Sequence, residues 1–161
     1  MTRAATLAVA LLVLVVPGAA QAQLTAANAW LRPVAAGQKE AQLYVDLRAT
    51  EPVKLVAASS PIARRAELVL LDPPDAQSGK LRVVSEIAVA PNAETRLAFR
   101  GSHVRLLDIT RAANPGEHVA VELTFVAASG RRQSVSTHAL VRGLVARTPD
   151  GKDIAASPLA K

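Results

Sequence analysis

An all-β sandwich or Greek-key barrel is the fold class that this 161-residue sequence predicts. Three observations carry the prediction. Apolar side chains recur at every second position in segment after segment, the period of a strand with one buried face. Turn formers built on Pro, Gly, Asn and Asp punctuate these segments at short intervals. Past residue 22 no stretch sustains a helical apolar stripe, which argues against a parallel α/β arrangement.

The chain opens on the pattern of an export signal: Arg3 gives a positive start, residues 4–16 an apolar run, and Ala20-Gln21-Ala22 a small-residue cleavage site. Cleavage is expected after Ala22. The run falls short of the roughly 20 apolar residues a membrane span needs, and Pro17-Gly18 breaks its end, so no stable membrane insertion is expected. The sequence contains no cysteine, so neither a disulfide nor a lipid anchor on cysteine is expected, and the protein is placed in the periplasm or outside the cell. Residues 23–145 are then one β domain, long enough to bury a core, and residues 146–161, with Pro149, Asp150-Gly151 and Pro158, a loose tail.

Within the domain, the two clearest strands are 41–47 and 119–125. Ala41, Leu43, Val45 and Leu47 fall on one face, opposite Gln42, Tyr44, Asp46 and Arg48; Val119, Val121, Leu123 and Phe125 fall on one face, opposite Glu122 and Thr124. Shorter segments at 27–32, 53–58, 66–71, 81–87, 94–99, 103–109 and 133–141 bring the expected total to about eight or nine strands. The turns between them are Glu51-Pro52, Ser60-Pro61, Asp72-Pro73-Pro74, Ser78-Gly79, Ala90-Pro91-Asn92, Arg100-Gly101, Asn114-Pro115-Gly116 and Ser129-Gly130.

Loss of Arg3 with the signal lowers the formal net charge from +6 to +5. The basic residues are scattered, and the aromatics are only Trp30, Tyr44, Phe99 and Phe125. A sheet that binds nucleic acid interleaves aromatics with a basic stripe, so no nucleic-acid partner is expected. Trp30 reads as a packing anchor of the first strand, with stacking on a ligand as the alternative.

Catalytic patterns are missing as well. There is no cysteine nucleophile, no Gly-x-Ser-x-Gly elbow, no phosphate-cradling glycine loop and no paired histidine motif, so the chain reads as a non-enzyme. The histidines, His103, His118 and His138, are far apart, whereas a closed zinc site takes four donors. Cu(I) favours thiolate, thioether and imidazole, and after Met1 the chain has no sulfur at all. Weak Cu(II) binding by His103 with His118 or His138 stays open at this stage.

One ordered set of residues resembles a known family. Ala29-Trp30-Leu31-Arg32, Gly37-Gln38 and the Tyr44-bearing strand are similar to the opening of the periplasmic copper chaperones of the PCuAC type. The likeness continues through residues 55–63, Glu67-Leu68, Gly101-Ser102-His103-Val104 and Pro115-Gly116-Glu117 to Thr124-Phe125. The resemblance implies a cupredoxin-like β-sandwich that handles Cu(I) and works with copper-handling or cytochrome oxidase assembly proteins; the chain is expected to be a monomer.

It also implies a copper site of two histidines and two methionines, which transfers here only in part. The first histidine position falls on Val69 and the first methionine position on Leu81 or Val83. The closing His-x-Met element falls on His103-Val104-Arg105. His103 is thus the single candidate metal ligand, and Val69, Val83 and Arg105 are family ligand positions without a donor. Residues i and i+2 of a strand share a face, so Arg105 puts a permanent cation beside His103. Arg105 reads either as a solvated edge charge or as an anion or partner contact with Arg82 or Arg96. Copper binding is therefore doubtful on the sequence, and a copper-independent interaction module is the alternative function.

Overall fold

The computed structural model describes residues 23–71, 80–143, 146–147 and 153–154. The expected signal, residues 1–22, and the turn formers Asp72-Pro73-Pro74 and Ser78-Gly79 lie outside the described residues. The strands are β1 Leu24–Leu31, β2 Glu40–Ala49, β3 Val53–Ser59, β4 Ala63–Leu71, β5 Leu81–Val84, β6 Ile87–Val89, β7 Glu94–Leu97, β8 His103–Ile109, β9 His118–Ala127, β10 Arg132–Val141, β11 Ala146–Arg147 and β12 Asp153–Ile154. The last two pair only with each other, within the segment expected to be a loose tail.

Nine strands form one hydrogen-bonded path, β5-β4-β8-β2-β1-β10-β9-β3-β6, and β7 branches off it against β2. Only the β1–β10 pair is parallel; every other neighbour is antiparallel. The path curls back on itself because β3, near one end, runs straight into β4, near the other, through the short corner at Ser60-Pro61-Ile62. Ser60 Oγ ties this corner to the Ala120 carbonyl of β9 at 2.9 Å, and Ile62 is wholly buried beneath it. The result is a Greek-key β-sandwich closed nearly into a barrel.

The core fills the space that this closure creates. Leu43, Val45 and Leu47 of β2 meet Leu55, Leu106, Leu123 and Phe125, all at most 1% exposed. Each such side chain, fully buried, contributes about 1.5–3 kcal/mol of transfer free energy. Alternation along β2 and β9 thus turns directly into core. The Asn114-Pro115-Gly116 turn also forms as read: Gly116 has a φ of 86°, and Glu117 N donates to the Asn114 carbonyl at 3.0 Å. Glycine at that third position accepts the left-handed backbone that a side chain would resist.

One expected element divides in two. The segment 81–87 is two strands at opposite ends of the sheet, β5 paired with β4 and β6 with β3. Alternation lapses at Val84-Ser85, where an apolar and a polar side chain exchange phase, and resumes at Ile87. The break falls at Ser85-Glu86, and beside it Lys54 Nζ of β3 donates to Glu86 Oε1 at 2.6 Å. Phe99, read as the end of a strand, lies past β7 and is 49% exposed.

Candidate metal site

The residues matched to the family's copper ligands lie on the outer face of the sheet, around β8. Val104 and Leu106 of β8 turn into the core, so His103 and Arg105 point the other way. Register then assembles the site. His103 stands opposite Val69 on β4, and Val69 stands opposite Val83 on β5. Three of the four positions thus form one transverse row over three strands. Arg105, one step along the same face, stands between Glu67 on β4 and Gln42 on β2.

His103 is 3% exposed, although it lies on the outer face. Its Nδ1 is 2.9 Å from the carbonyl oxygen of Gly101. A carbonyl only accepts, so Nδ1 carries the proton and Nε2 keeps the one free lone pair. Val69 is buried, and Val83 is 54% exposed on the edge strand. Where the row ends, Arg105 is already engaged: Nη2 lies 2.5 Å from Glu67 Oε2 and Nη1 3.9 Å from Glu40 Oε2. The side chains of Arg105 and Glu67 are each about two-thirds covered, so this pair is better shielded than the exposed ion pairs elsewhere.

The ring of Tyr44 lies beside His103 and belongs to a row of aromatic side chains. Trp30 on β1 is the cross-strand partner of Tyr44 on β2, with ring centroids 4.3 Å apart. Tyr44 is 6.2 Å from both Phe99 and His103. Alternation places Tyr44 among the polar side chains of β2, yet it is completely buried, because these three rings close over it. Its hydroxyl donates to Gln42 Oε1 at 2.5 Å. Burial pushes the phenol pKa above its ordinary value, and the nearby Arg32 charge opposes that rise. Trp30 therefore packs as the anchor expected of it, and Arg142 lies over its ring at 5.1 Å.

The other two histidines belong elsewhere. His118 on β9 and His138 on β10 are exposed, and β2 and β1 separate β10 from β8. Register makes them diagonal neighbours of each other, His118 opposite Leu140 and His138 opposite Ala120. Among the described residues no group of three or more His, Cys, Asp or Glu side chains is arranged to hold a metal ion. The row around His103 offers one imidazole nitrogen, two valines and an arginine committed to carboxylates. This set does not fit Cu(I), which needs several soft donors.

The fold is that of a cupredoxin-like β-sandwich. The LpqE-like lipoprotein family model matches residues 24–137, and the chain belongs to that family. Among solved structures, the apo PCuAC domain from PmoF1 superposes with a TM-score of 0.61 at 24% identity, covering 74% of this chain and 93% of that one. The copper-bound PCuAC domain from PmoF2 gives 0.58 at 24% identity, over 74% and 92%. The Cu(I) form of DR1885 from Deinococcus radiodurans gives 0.52 at 25% identity, over 71% and 75%. No curated protein sequence matches the chain.

Proposed function

We propose that this protein is an exported, non-enzymatic member of the copper-chaperone fold group whose own copper position is degenerate. It serves copper handling, next to cytochrome oxidase copper-centre assembly, as an accessory and not as a tight carrier of Cu(I). The fold supports the pathway: the structures it resembles include a copper-bound PCuAC domain and a Cu(I)-loaded protein. The sequence has no cysteine on which to build a lipid anchor, in keeping with a protein released after export. Among the described residues no helix is long and apolar enough to cross a membrane.

The observation that carries the reading is the Arg105–Glu67 ion pair. A fixed guanidinium stands where the resemblance puts a thioether, and its charge is balanced by carboxylate. A copper ion entering beside it would meet one imidazole nitrogen and a guanidinium that has no lone pair to give and already holds Glu67. A second reading, a copper-independent interaction module on the same fold, is favoured by the arginines and rings that crowd the same face.

The test is a competition titration of the mature protein, residues 23–161, with Cu(I) against a chromogenic chelator, run beside Cu(II) and a His103→Ala control. Neither the parent nor the control is expected to withdraw Cu(I) from the chelator. Stoichiometric tight binding that disappears in the control would overturn the reading.

A further inference from the structure

The described arginines differ in what holds them. Arg48, Arg65, Arg96, Arg105 and Arg111 each engage a carboxylate. Arg32, Arg100 and Arg142 have no carboxylate partner among the described residues, and each lies over an aromatic ring instead. Arg32 and Arg100 approach Phe99 at 5.7 and 5.5 Å, and Arg142 approaches Trp30 at 5.1 Å. All three arginines are exposed.

Folding gathers them from three places. Arg32 follows β1, Arg100 sits in the turn before β8, and Arg142 follows β10. The rings beneath them are continuous, Trp30 against Tyr44 and Tyr44 against Phe99. Like charges held side by side repel, so this arrangement gains when an anion spans them. A ring contact engages the face of a guanidinium and leaves its N–H donors for a carboxylate.

Backbone geometry makes the same point at Arg100, whose φ of 62° is left-handed. Glycine bears that conformation freely, yet Gly101 stands one position later. The turn thus accepts strain at the residue whose side chain covers Phe99. Beside it, Asn28, Trp30, Phe99 and Arg142 line a groove of about 290 Å³. Its one carboxylate, Asp46, is already taken by Arg96 and Asn28.

We propose that this ring-and-arginine patch is the docking surface for an acidic segment of a partner protein, one that presents several Asp or Glu side chains in succession. The proposal goes beyond the copper reading and holds whether or not a metal binds at His103. The cations stand over Phe99 and Trp30, the two outer rings of the row that Tyr44 joins, a layout that a run of carboxylates can follow and one small anion cannot cover. A membrane is a poorer fit, because interfacial binding uses a broad protruding apolar face, and here Phe99 is the one large apolar side chain exposed among the arginines.

Trp30 is the sole tryptophan, so its fluorescence reads the patch directly. The mature protein is titrated, with a copper chelator present, with hexaglutamate, hexaglutamine, inorganic phosphate and phosphatidylglycerol vesicles. Hexaglutamate should shift the emission saturably and weaken with added salt. The Arg32→Gln/Arg142→Gln protein should lose roughly tenfold or more in affinity, and Arg131→Gln/Arg132→Gln, which alters exposed arginines elsewhere, should not. If the first double variant fails to fold, Arg100→Gly removes one cation and the backbone strain together and should still weaken binding. No response to hexaglutamate, equal binding by the variants, or tighter binding of phosphate or vesicles than of peptide would overturn the proposal.

Discussion

Val69 stands directly opposite His103 across the β4–β8 ladder, and both side chains are buried on the same face. Directly opposed residues of an antiparallel pair have Cβ atoms about 4.5–5.5 Å apart. Two donors at these positions would therefore reach one metal ion. Val83 extends the row on β5, and Arg105 flanks it on β8. On the function proposed above, these strands hold the four positions of the family's copper site, and His103 alone among them is a donor.

Restoring those side chains should restore the metal. The variant Val69→His, Val83→Met, Arg105→Met supplies an imidazole and two thioethers around the Nε2 of His103. Cu(I) affinity is expected to rise by about 100-fold or more over the parent in chelator competition, about 2.7 kcal/mol. Adding His103→Ala to that background should abolish the gain. An intact fold with no gain would show that the row is not the metal position.

Tyr44 is the only tyrosine in the sequence, so its phenolate absorbance can be followed without interference from another. Burial raises its pKa above the ordinary 10.0, and Arg32 holds the rise down. The spectrophotometric midpoint should therefore lie above 10.0, and Arg32→Gln should move it higher. Above pH 10 the unfolded chain releases this proton before the folded one does. The contribution to stability is thus lost as the pH climbs from the ordinary value toward the folded one. A midpoint at or below 10.0, or no upward movement in Arg32→Gln, would mean that the phenol is neither covered nor near that arginine.

Phe125 is 1% exposed in the centre of the core, as the alternation of β9 requires. Phe125→Ala is expected to cost about 3–5 kcal/mol in urea or thermal unfolding. A loss well below 1 kcal/mol would put that ring outside the core.

Period-two reading gave the faces of β2 and β9 because one side of each strand meets a continuous apolar core. It failed where something other than that core does the covering. Tyr44 lies on the polar face of β2, and no local pattern announces that Trp30 from β1, Phe99 from a turn and His103 from β8 close over it. The split at Ser85-Glu86 is marked by the lapse of alternation at Val84-Ser85, but the partners of its two halves, β4 and β3, are not. Alternation says which way a side chain points and is silent on which strand pairs with it. His118 and His138, twenty positions apart, become neighbours only through the β9–β10 register. The ring-bound arginines come together by the same long-range route, while Arg105 could be placed beside His103 from spacing alone.

Acid should weaken the fold through two carboxylates outside the candidate site. Glu94 is held below its ordinary pKa of 4.5 by hydrogen bonds first from Arg48 and then from Arg96. Glu117 is lowered by Arg111 first and then by the backbone N–H of Asn114. Because the folded chain binds these protons less readily than the unfolded one, their contribution is fully present above about pH 4.5. It is lost as the pH falls through the lowered values. The urea midpoint should fall over that range, and Glu94→Gln with Glu117→Gln should flatten the dependence while lowering the midpoint at neutral pH. Both pairs are near the surface, so added salt should shrink the effect. An acid profile of the double variant that matches the parent would mean that neither glutamate keeps its arginine in solution.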